Sequence, residues 1–168
     1  MNDLENQFTI AFYNLENYFN TTNDSHVLDD DFTPKGFKKW DDKKFNKKSQ
    51  KLGKVIAHIG ETESQLPPVL VGVAEVENGG VIKKLLATDD LKEIDYGYVH
   101  FDSPDERGID TGLIYHKEYF KVIEAATIPL LINSQNGERD FTRDILYVKG
   151  LLNSEEIHVF VNLSLIHI

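Results

Sequence analysis

Two stretches in the first half of this chain have apolar residues at the spacing of a helix. Between residues 41 and 60 they recur at helical spacing, at Phe45, Leu52, Val55, Ile56 and Ile59. This pattern predicts an amphipathic helix that Asp41 or Asp42 caps and that Gly60 ends. A second, shorter helix is predicted after Asn78, with inward positions at Val81, Ile82, Leu85 and Leu86.

The other apolar stretches have the period of strands. Residues 69–76 begin with an unbroken apolar run rich in β-branched residues, which is typical of a strand buried on both faces. Residues 8–13 alternate large and small side chains, as in a strand near the middle of a sheet. Further strands are predicted at 98–100, 112–115, 120–126, 145–152 and 157–162. Polar turns such as 133–137 favour antiparallel pairing, so the fold class is α/β with mixed, mainly antiparallel sheets.

Composition limits the kind of metal that the chain can hold. Its 168 residues, 40% of them hydrophobic, suit one domain of ordinary size. Because there is no cysteine, any metal must have oxygen or imidazole ligands, which favours hard cations. The first residues lack a basic and apolar leader, and no apolar run could span a bilayer. The sequence therefore predicts a cytoplasmic protein without a membrane partner, although a secreted form stays open.

Charge is distributed unevenly along the chain. The formal net charge of −10 argues against non-specific binding to nucleic acid. However, half of the 18 basic residues are lysines between positions 35 and 54. This segment is either the solvated face of the first helix or a surface that binds nucleic acid or protein.

Two polar residues follow buried strands and are candidates for a metal site. Glu75 stands at the end of the central apolar run, where a carboxylate is poorly solvated unless a cation pairs with it. Alternatively, Glu75 caps the following helix or pairs with a lysine. Asn14 follows the first strand and could orient a phosphate oxygen or a metal-bound water, or it could be a turn residue.

Four blocks resemble, in order, the successive motifs of the endonuclease/exonuclease/phosphatase superfamily: residues 12–17, 72–78, 102–115 and 142–148. The chain is most similar to bacterial nuclease-like members related to pancreatic-type deoxyribonuclease and exonuclease III. Four ordered blocks are far more specific than any one of them. The resemblance implies a four-layer α/β/β/α sandwich, of which this chain is the N-terminal part, with a divalent metal, Mg²⁺ or Mn²⁺, at the strand ends.

The resemblance also implies roles for individual residues. Glu75 matches the metal-ligand glutamate, and Asn14 matches an asparagine that helps to hold the metal and the phosphate. Arg143 matches an arginine that approaches the substrate phosphate, so Asn14, Glu75 and Arg143 are the candidate catalytic residues. Asp110 and Arg107 belong to a block that borders the cleft and join Asn14 and Arg143 as candidate substrate-binding residues.

Structural alternatives remain open for two residues near these blocks. Arg143 could pair with Asp140 or Asp144 instead of approaching a phosphate. His100, which flanks the third block, could be a surface strand residue.

The chain departs from the family pattern near its last residues. Leu163 stands where the resemblance implies the catalytic histidine, and His167 does not match that position. We therefore expect residues 1–162 to be the N-terminal part of the domain and residues 163–168 to be a tail that matches nothing. Such a truncated chain would leave an apolar sheet face and an open edge exposed, and by itself it should have little turnover.

The predicted function is that of a divalent-metal-dependent phosphodiester hydrolase, endonuclease-like, with nucleic acid as its substrate and DNA as the first choice. One alternative is a non-catalytic fragment that binds nucleic acid or protein through its lysine-rich helix and exposed sheet. Another is a phosphomonoesterase or phospholipid phosphodiesterase of the same fold, because the fold does not select the substrate.

Overall fold

The computed structural model describes residues 7–64, 66–133 and 136–163. These residues form two α-helices, α1 (Asp42–Ala57) and α2 (Gly79–Leu86), and a short 3-10 turn at Asp30–Phe32. The strands are β1 (Ile10–Tyr18), β2 (Leu70–Val76), β3 (Tyr96–His100), β4 (Asp110–His116), β5 (Phe120–Ile128), β6 (Ile132–Asn133), β7 (Arg139–Asp140), β8 (Ile145–Leu152) and β9 (Glu155–Val161).

The strands form two main sheets. The first has the order β1-β2-β4-β3, in which β1 is parallel to β2 and the other pairs are antiparallel. The second has the order β5-β8-β9 and is antiparallel throughout, and β6 and β7 form a small separate hairpin. The predicted α/β class with mixed, mainly antiparallel sheets is confirmed.

Two apolar cores hold these elements in three layers. The helices pack on one face of the first sheet through side chains such as Leu52, Ile56 and Ile82. The other face of that sheet packs on the second sheet around Leu113, Phe120 and Val148. Burying an aliphatic or aromatic side chain in this way is worth about 1.5–3 kcal/mol, so each core contributes strongly to stability.

The outer face of the second sheet has no helix against it in the part of the chain that the structure describes. Tyr147 and Phe160 lie side by side on this face, with ring centroids 5.1 Å apart, and Phe160 is 58% exposed. On the first sheet, Ile10 and Phe12 of β1 are 59% and 55% exposed. Apolar side chains of both sheets are thus open to solvent in this chain.

Strand β1 and helix α1 each differ from the sequence expectations in two details. β1 is an edge strand, because within the described residues it pairs with β2 alone. It runs from Ile10 to Tyr18, so Asn14 lies inside the strand, before an irregularity in its pairing, and not after it. In α1, Val55 is 44% exposed and does not face the core, and the helix ends at Ala57 before Gly60.

Some expectations reach beyond the described residues. The predicted turn 133–137 includes two residues outside them. Of the predicted tail 163–168, residue 163 alone is described, so His167 lies outside the described residues as well. In the part that is described, no helix is both long enough and apolar enough to cross a membrane.

Helix α1 begins at a side-chain cap and packs against the end of β1. Asp41, one of the two caps that the sequence allowed, accepts a hydrogen bond from the backbone N–H of Lys44. The buried Tyr18 of β1 stacks on Phe45, with ring centroids 5.3 Å apart, and its hydroxyl lies 2.6 Å from Ser49 Oγ. These contacts hold the α1 residues between Phe45 and Ser49 beside the last residues of β1.

Candidate active site

Strand register brings Asn14, Glu75 and Asp110 together at one end of the strands of the first sheet, with His100 beside them. Asn14 of β1 pairs with Ala74 of β2. Val76 pairs with Asp110, the first residue of β4. His100, the last residue of β3, pairs with Gly112 of β4. Since β4 runs opposite to its neighbours, its start lies beside their ends. The side chains thus follow the order Asn14, Glu75, Asp110 and His100 across four strands.

Glu75 is held by two hydrogen bonds from β1. Asn14 Nδ2 donates to Glu75 Oε1 at 3.1 Å, and the backbone N–H of Asn17 donates to Oε2 at 2.8 Å. The N–H of Glu16 donates to Asn14 Oδ1 at 2.8 Å, and this fixes the oxygen and nitrogen ends of the Asn14 amide. Asn14 therefore presents a donor, not its oxygen, to the Glu75 carboxylate.

The backbone around Glu75 is strained. Glu16, Asn17 and Glu75 have φ values of 55°, 57° and 60°, in the left-handed region that side chains with a Cβ disfavour. Each such residue costs about 1–2 kcal/mol. The Glu16 and Asn17 conformations coincide with the irregular part of the β1–β2 register, and they turn the Asn17 N–H towards Glu75. Strain of this kind clusters at functional sites.

Neither structural alternative for Glu75 describes its contacts. The cap of α2 is Asn78, whose side chain accepts hydrogen bonds from the N–H groups of Gly80 and Val81. No lysine forms an ion pair with Glu75 among the residues that the structure describes. The carboxylate is half-buried and keeps lone pairs beyond the two that accept hydrogen bonds, so it can still bind a cation.

Lys48 of α1 interacts electrostatically with the Glu75 carboxylate and contacts the residues around it. Its ammonium donates to the carbonyl oxygens of Glu16 at 2.5 Å and of Asn17 at 3.4 Å, and it lies 5.6 Å from the centre of the Trp40 ring. Burial lowers the pKa of Lys48, while the negative charges of Glu16 and Glu75 oppose this shift. Lys48 thus supports the two left-handed residues and places a positive charge near Glu75.

The two predicted arginines lie in different environments. Arg107 is exposed, and its Nη2 donates to Asn17 Oδ1 at 3.1 Å, which places the guanidinium beside the residue that holds Glu75. Arg143 is 6% exposed and pairs with the equally buried Asp105 at 3.0 Å. Asp105 also accepts a hydrogen bond from the backbone N–H of Arg107 at 3.0 Å.

Arg143 therefore has a partner that the sequence did not suggest. The expected pair with Asp144 is not formed, and the side chain of Asp140 lies outside the described part of the structure. Asp105, 38 positions earlier in the chain, is the partner. Sequence proximity could not indicate this contact, because the tertiary fold brings the two segments together.

Asp110 and His100 form a buried pair, so His100 is not a surface residue. His100 Nε2 lies 3.5 Å from Asp110 Oδ2, and the two side chains are 5% and 6% exposed. Ser103 Oγ donates a short hydrogen bond to Asp110 Oδ1. Burial raises the pKa of the Asp110 carboxyl, although the neighbouring His100 and the hydrogen bond from Ser103 act in the opposite direction.

Sequence reasoning did not single out Lys48 or Glu77. Glu77 accepts two hydrogen bonds from Asn20, and burial raises its pKa to about 7, with Asp29 and Asp24 adding to the shift. Lys48 could have been recognised, because it borders the apolar stripe of α1 that contains Phe45 and Leu52. Glu77 gave no such signal, since its burial depends on a loop far away in sequence.

Comparison with known sequences identifies the family. The sequence model of the endonuclease/exonuclease/phosphatase family matches residues 9–164. The chain belongs to this family. Its members are hydrolytic enzymes of the phosphodiesterase and nuclease type, and they typically use divalent metals.

Two solved structures of TDP2 from D. rerio are similar to the chain. A humanized form has a TM-score of 0.49 and 13% identity, over 89% of this chain and 44% of that one. A complex with a single-strand DNA product has a TM-score of 0.43 and 15% identity, over 65% of this chain and 37% of that one. The chain thus spans less than half the length of either structure.

A short stretch also resembles a protein outside the family. It is 33% identical over 57 residues to protein translocase subunit SecA of Bradyrhizobium diazoefficiens, which is 34% of this chain and 6% of that protein. This likeness is too short to show a shared family.

The donor set at Glu75 fits a hard divalent cation. Mg²⁺ is commonly held by one or two carboxylates and completes its shell with water and substrate phosphate oxygens. Glu75 is half-buried and fixed by Asn14 and Asn17, so it offers one oriented carboxylate. Asn14 Oδ1 keeps a second lone pair beside it.

Proposed function

We propose that this chain carries a metal-binding active site of a divalent-metal-dependent phosphodiester hydrolase, endonuclease-like and acting on nucleic acid. The observation that supports this most directly is the strained cradle of Asn14, Glu16 and Asn17, which orients the Glu75 carboxylate at the sheet edge. DNA is the substrate to test first, because the family includes endonucleases and exonucleases.

Glu75 would hold the metal, Mg²⁺ or Mn²⁺. When bound, such an ion neutralises charge that develops on the phosphate oxygens and lowers the pKa of a bound water. Asn14 and Asn17 keep both Glu75 oxygens in a fixed direction, so little reorganisation is needed when the ion binds. Asn14 thus acts mainly as a positioning residue, with its oxygen available as a weaker ligand.

Arg107 is the better candidate for contact with the substrate phosphate. It is exposed and lies next to Asn17, and a guanidinium can donate two parallel hydrogen bonds to a phosphate. Arg143 is buried and neutralised by Asp105, so we assign it a positioning role. Through Asp105, it fixes the backbone of Arg107. Asp110 is engaged by Ser103 and His100, and its contact with substrate would be indirect.

Binding of DNA is the direct test, because Glu75 is proposed to hold the metal and Arg107 to contact the phosphate. A fluorescent single-stranded oligonucleotide is titrated with protein in Mn²⁺ and in EDTA, and anisotropy is measured. We expect affinity to fall at least tenfold in EDTA and in Glu75→Gln, and several-fold in Arg107→Met. Glu16→Gln removes a neighbouring exposed carboxylate and should bind like the wild type. A DNA affinity that neither EDTA nor Glu75→Gln lowers would overturn the proposal.

The lysines of α1 favour a second candidate function, that of a metal-independent nucleic-acid-binding module. The helix carries six lysines, of which all but Lys48 are exposed. A cationic surface of this kind binds DNA in a salt-sensitive way. Binding that persists in EDTA, weakens steeply with salt and is lost in a Lys47→Gln, Lys51→Gln, Lys54→Gln triple variant would favour this function over the first.

A further inference from the structure

The His100 ring is enclosed between two carboxylates at the end of β3. Nδ1 lies 3.8 Å from Asp102 Oδ1 and Nε2 lies 3.5 Å from Asp110 Oδ2, while the side chain is 5% exposed. Nε2 has no hydrogen-bond partner in the described part of the chain. A buried polar nitrogen without a partner is costly and calls for an explanation.

The distance between His100 and Asp110 suits a shared metal ion better than a hydrogen bond. An N–H···O hydrogen bond has a separation of about 2.7–3.2 Å, and 3.5 Å exceeds that range. Two ligands of a tetrahedral Zn²⁺ ion, each about 2.0–2.2 Å from the metal, are separated by about 3.3–3.5 Å. Nε2 and Oδ2 have nearly this separation.

We propose that His100 Nε2 and Asp110 Oδ2 form a second metal site, for a transition-metal ion such as Zn²⁺, with Asp102 orienting the ring. One ligand atom from each of the three residues lies within 4.8 Å of the others. An imidazole nitrogen favours Zn²⁺ over Mg²⁺, whereas Glu75 and Asn14 offer oxygen atoms alone. The two sites therefore differ in the ion that they select.

The surroundings of the ligands have the features of a built site. Ser103 donates to Asp110 Oδ1 and leaves Oδ2 directed at the ring. Asp102 is 86% exposed and can rotate to accept the Nδ1–H of His100, which would leave the lone pair on Nε2. Both ligands stand on adjacent strands, where the ladder between His100 and Gly112 restricts their movement.

Direct metal binding by the full chain tests this site. ZnCl₂ is titrated into EDTA-treated protein by calorimetry, and Co²⁺ is followed by its visible absorption. We expect one Zn²⁺ to bind with nitrogen coordination, and affinity to fall at least tenfold in His100→Gln and in Asp110→Asn. His58→Gln, which changes an exposed histidine after α1, should bind like the wild type. Loss of Zn²⁺ binding in Glu75→Gln alone would overturn the proposal.

A measurement on the wild type makes the test independent of variant folding. The imidazole nitrogens are observed by NMR during the Zn²⁺ titration. We expect the His100 Nε2 resonance to change from a free to a metal-bound nitrogen while Nδ1 keeps its proton. If both nitrogens stay protonated throughout, His100 is an imidazolium paired with Asp110 and the metal site does not exist. Failure here would leave the Glu75 site, which the DNA titration tests, unaffected.

Discussion

The side-chain amide of Asn14 donates to Glu75 Oε1 at 3.1 Å and joins the edge strand β1 to the central strand β2. Asn14 lies in the first motif of the chain and Glu75 in the second, 61 positions later. The bond is made by a donor whose orientation the N–H of Glu16 fixes. It therefore couples the conformation of β1 to the carboxylate that we propose as the metal ligand.

Replacing Asn14 with aspartate should place two carboxylates side by side. In EDTA we expect Asn14→Asp to lower the free energy of unfolding by about 1–3 kcal/mol, because Glu75 loses a donor and gains a like charge. Mn²⁺ should restore more stability to this variant than to the wild type, since the ion neutralises both groups. Urea unfolding with and without Mn²⁺ measures both effects. A variant as stable as the wild type in EDTA would contradict the prediction.

The left-handed conformation of Glu16 predicts a difference between two small substitutions. Glu16→Gly should be about 0.5–1 kcal/mol more stable than Glu16→Ala, because glycine removes the strain at φ 55° but costs more entropy on folding. Both variants lose the same charge, so alanine is the matched control. Chemical denaturation of the pair decides the point, and equal stabilities would argue against a strained residue at this position.

Lys48 should contribute to stability in a way that its neighbour does not. Lys48→Met keeps an apolar stem over Trp40 but removes the donor to the Glu16 carbonyl, and should cost about 1 kcal/mol. Lys47→Met, an exposed position on the same helix, should change stability by less than about 0.5 kcal/mol. Thermal unfolding of the two variants measures the difference. Equal effects of the two variants would mean that the Lys48 hydrogen bond does not contribute to stability.

The buried ion pair between Arg143 and Asp105 should be costly to break. Either Arg143→Met or Asp105→Asn leaves the other group buried without its partner, with an expected loss of about 3–5 kcal/mol. The double variant should lose less than the sum of the two. Lys92→Met, which breaks the exposed pair with Asp89, should cost about 0.5 kcal/mol or less. Additive losses in the double variant would show that the pair is not coupled.

Glu77 should make stability depend on pH in a window set by its pKa. Its pKa rises from an ordinary value of 4.5 to about 7 in the folded protein, so between these values the native state holds a proton that the unfolded state has lost. The Glu77 contribution to the free energy of unfolding therefore falls as pH rises from about 4.5 to 7 and is constant above that. Glutamine cannot ionise and should not show this loss.

Glu77→Gln should accordingly gain stability relative to the wild type across this pH range. Urea unfolding in EDTA at several pH values measures the difference and keeps divalent ions out of the comparison. Glu93→Gln, at an exposed position, is the control and should differ from the wild type by a constant amount. A pH-independent difference for Glu77→Gln would contradict the raised pKa.

Sequence reasoning located most of the elements that carry the site. The strand at residues 145–152 was predicted with the bounds that the structure gives, and α1 is capped by Asp41, one of the two predicted alternatives. One error concerns β1, which was expected in the middle of the sheet but is an edge strand that ends four residues after Asn14. Its alternating apolar residues indicated a strand, but such a pattern cannot say which neighbours pair with it.

The sequence by itself determined the family, the α/β class and Glu75 as the leading candidate for the metal site, because motif order and local periodicity are properties of the chain. The tertiary structure alone decided the partners. In the folded chain, Asn14 and Asn17 donate hydrogen bonds to Glu75. Arg143 pairs with Asp105, and His100 lies beside Asp110. The contacts of Glu75 and of Arg143 join segments 38 or more positions apart. Such contacts depend on strand register and on the backbone conformation between the segments, which local sequence patterns do not specify.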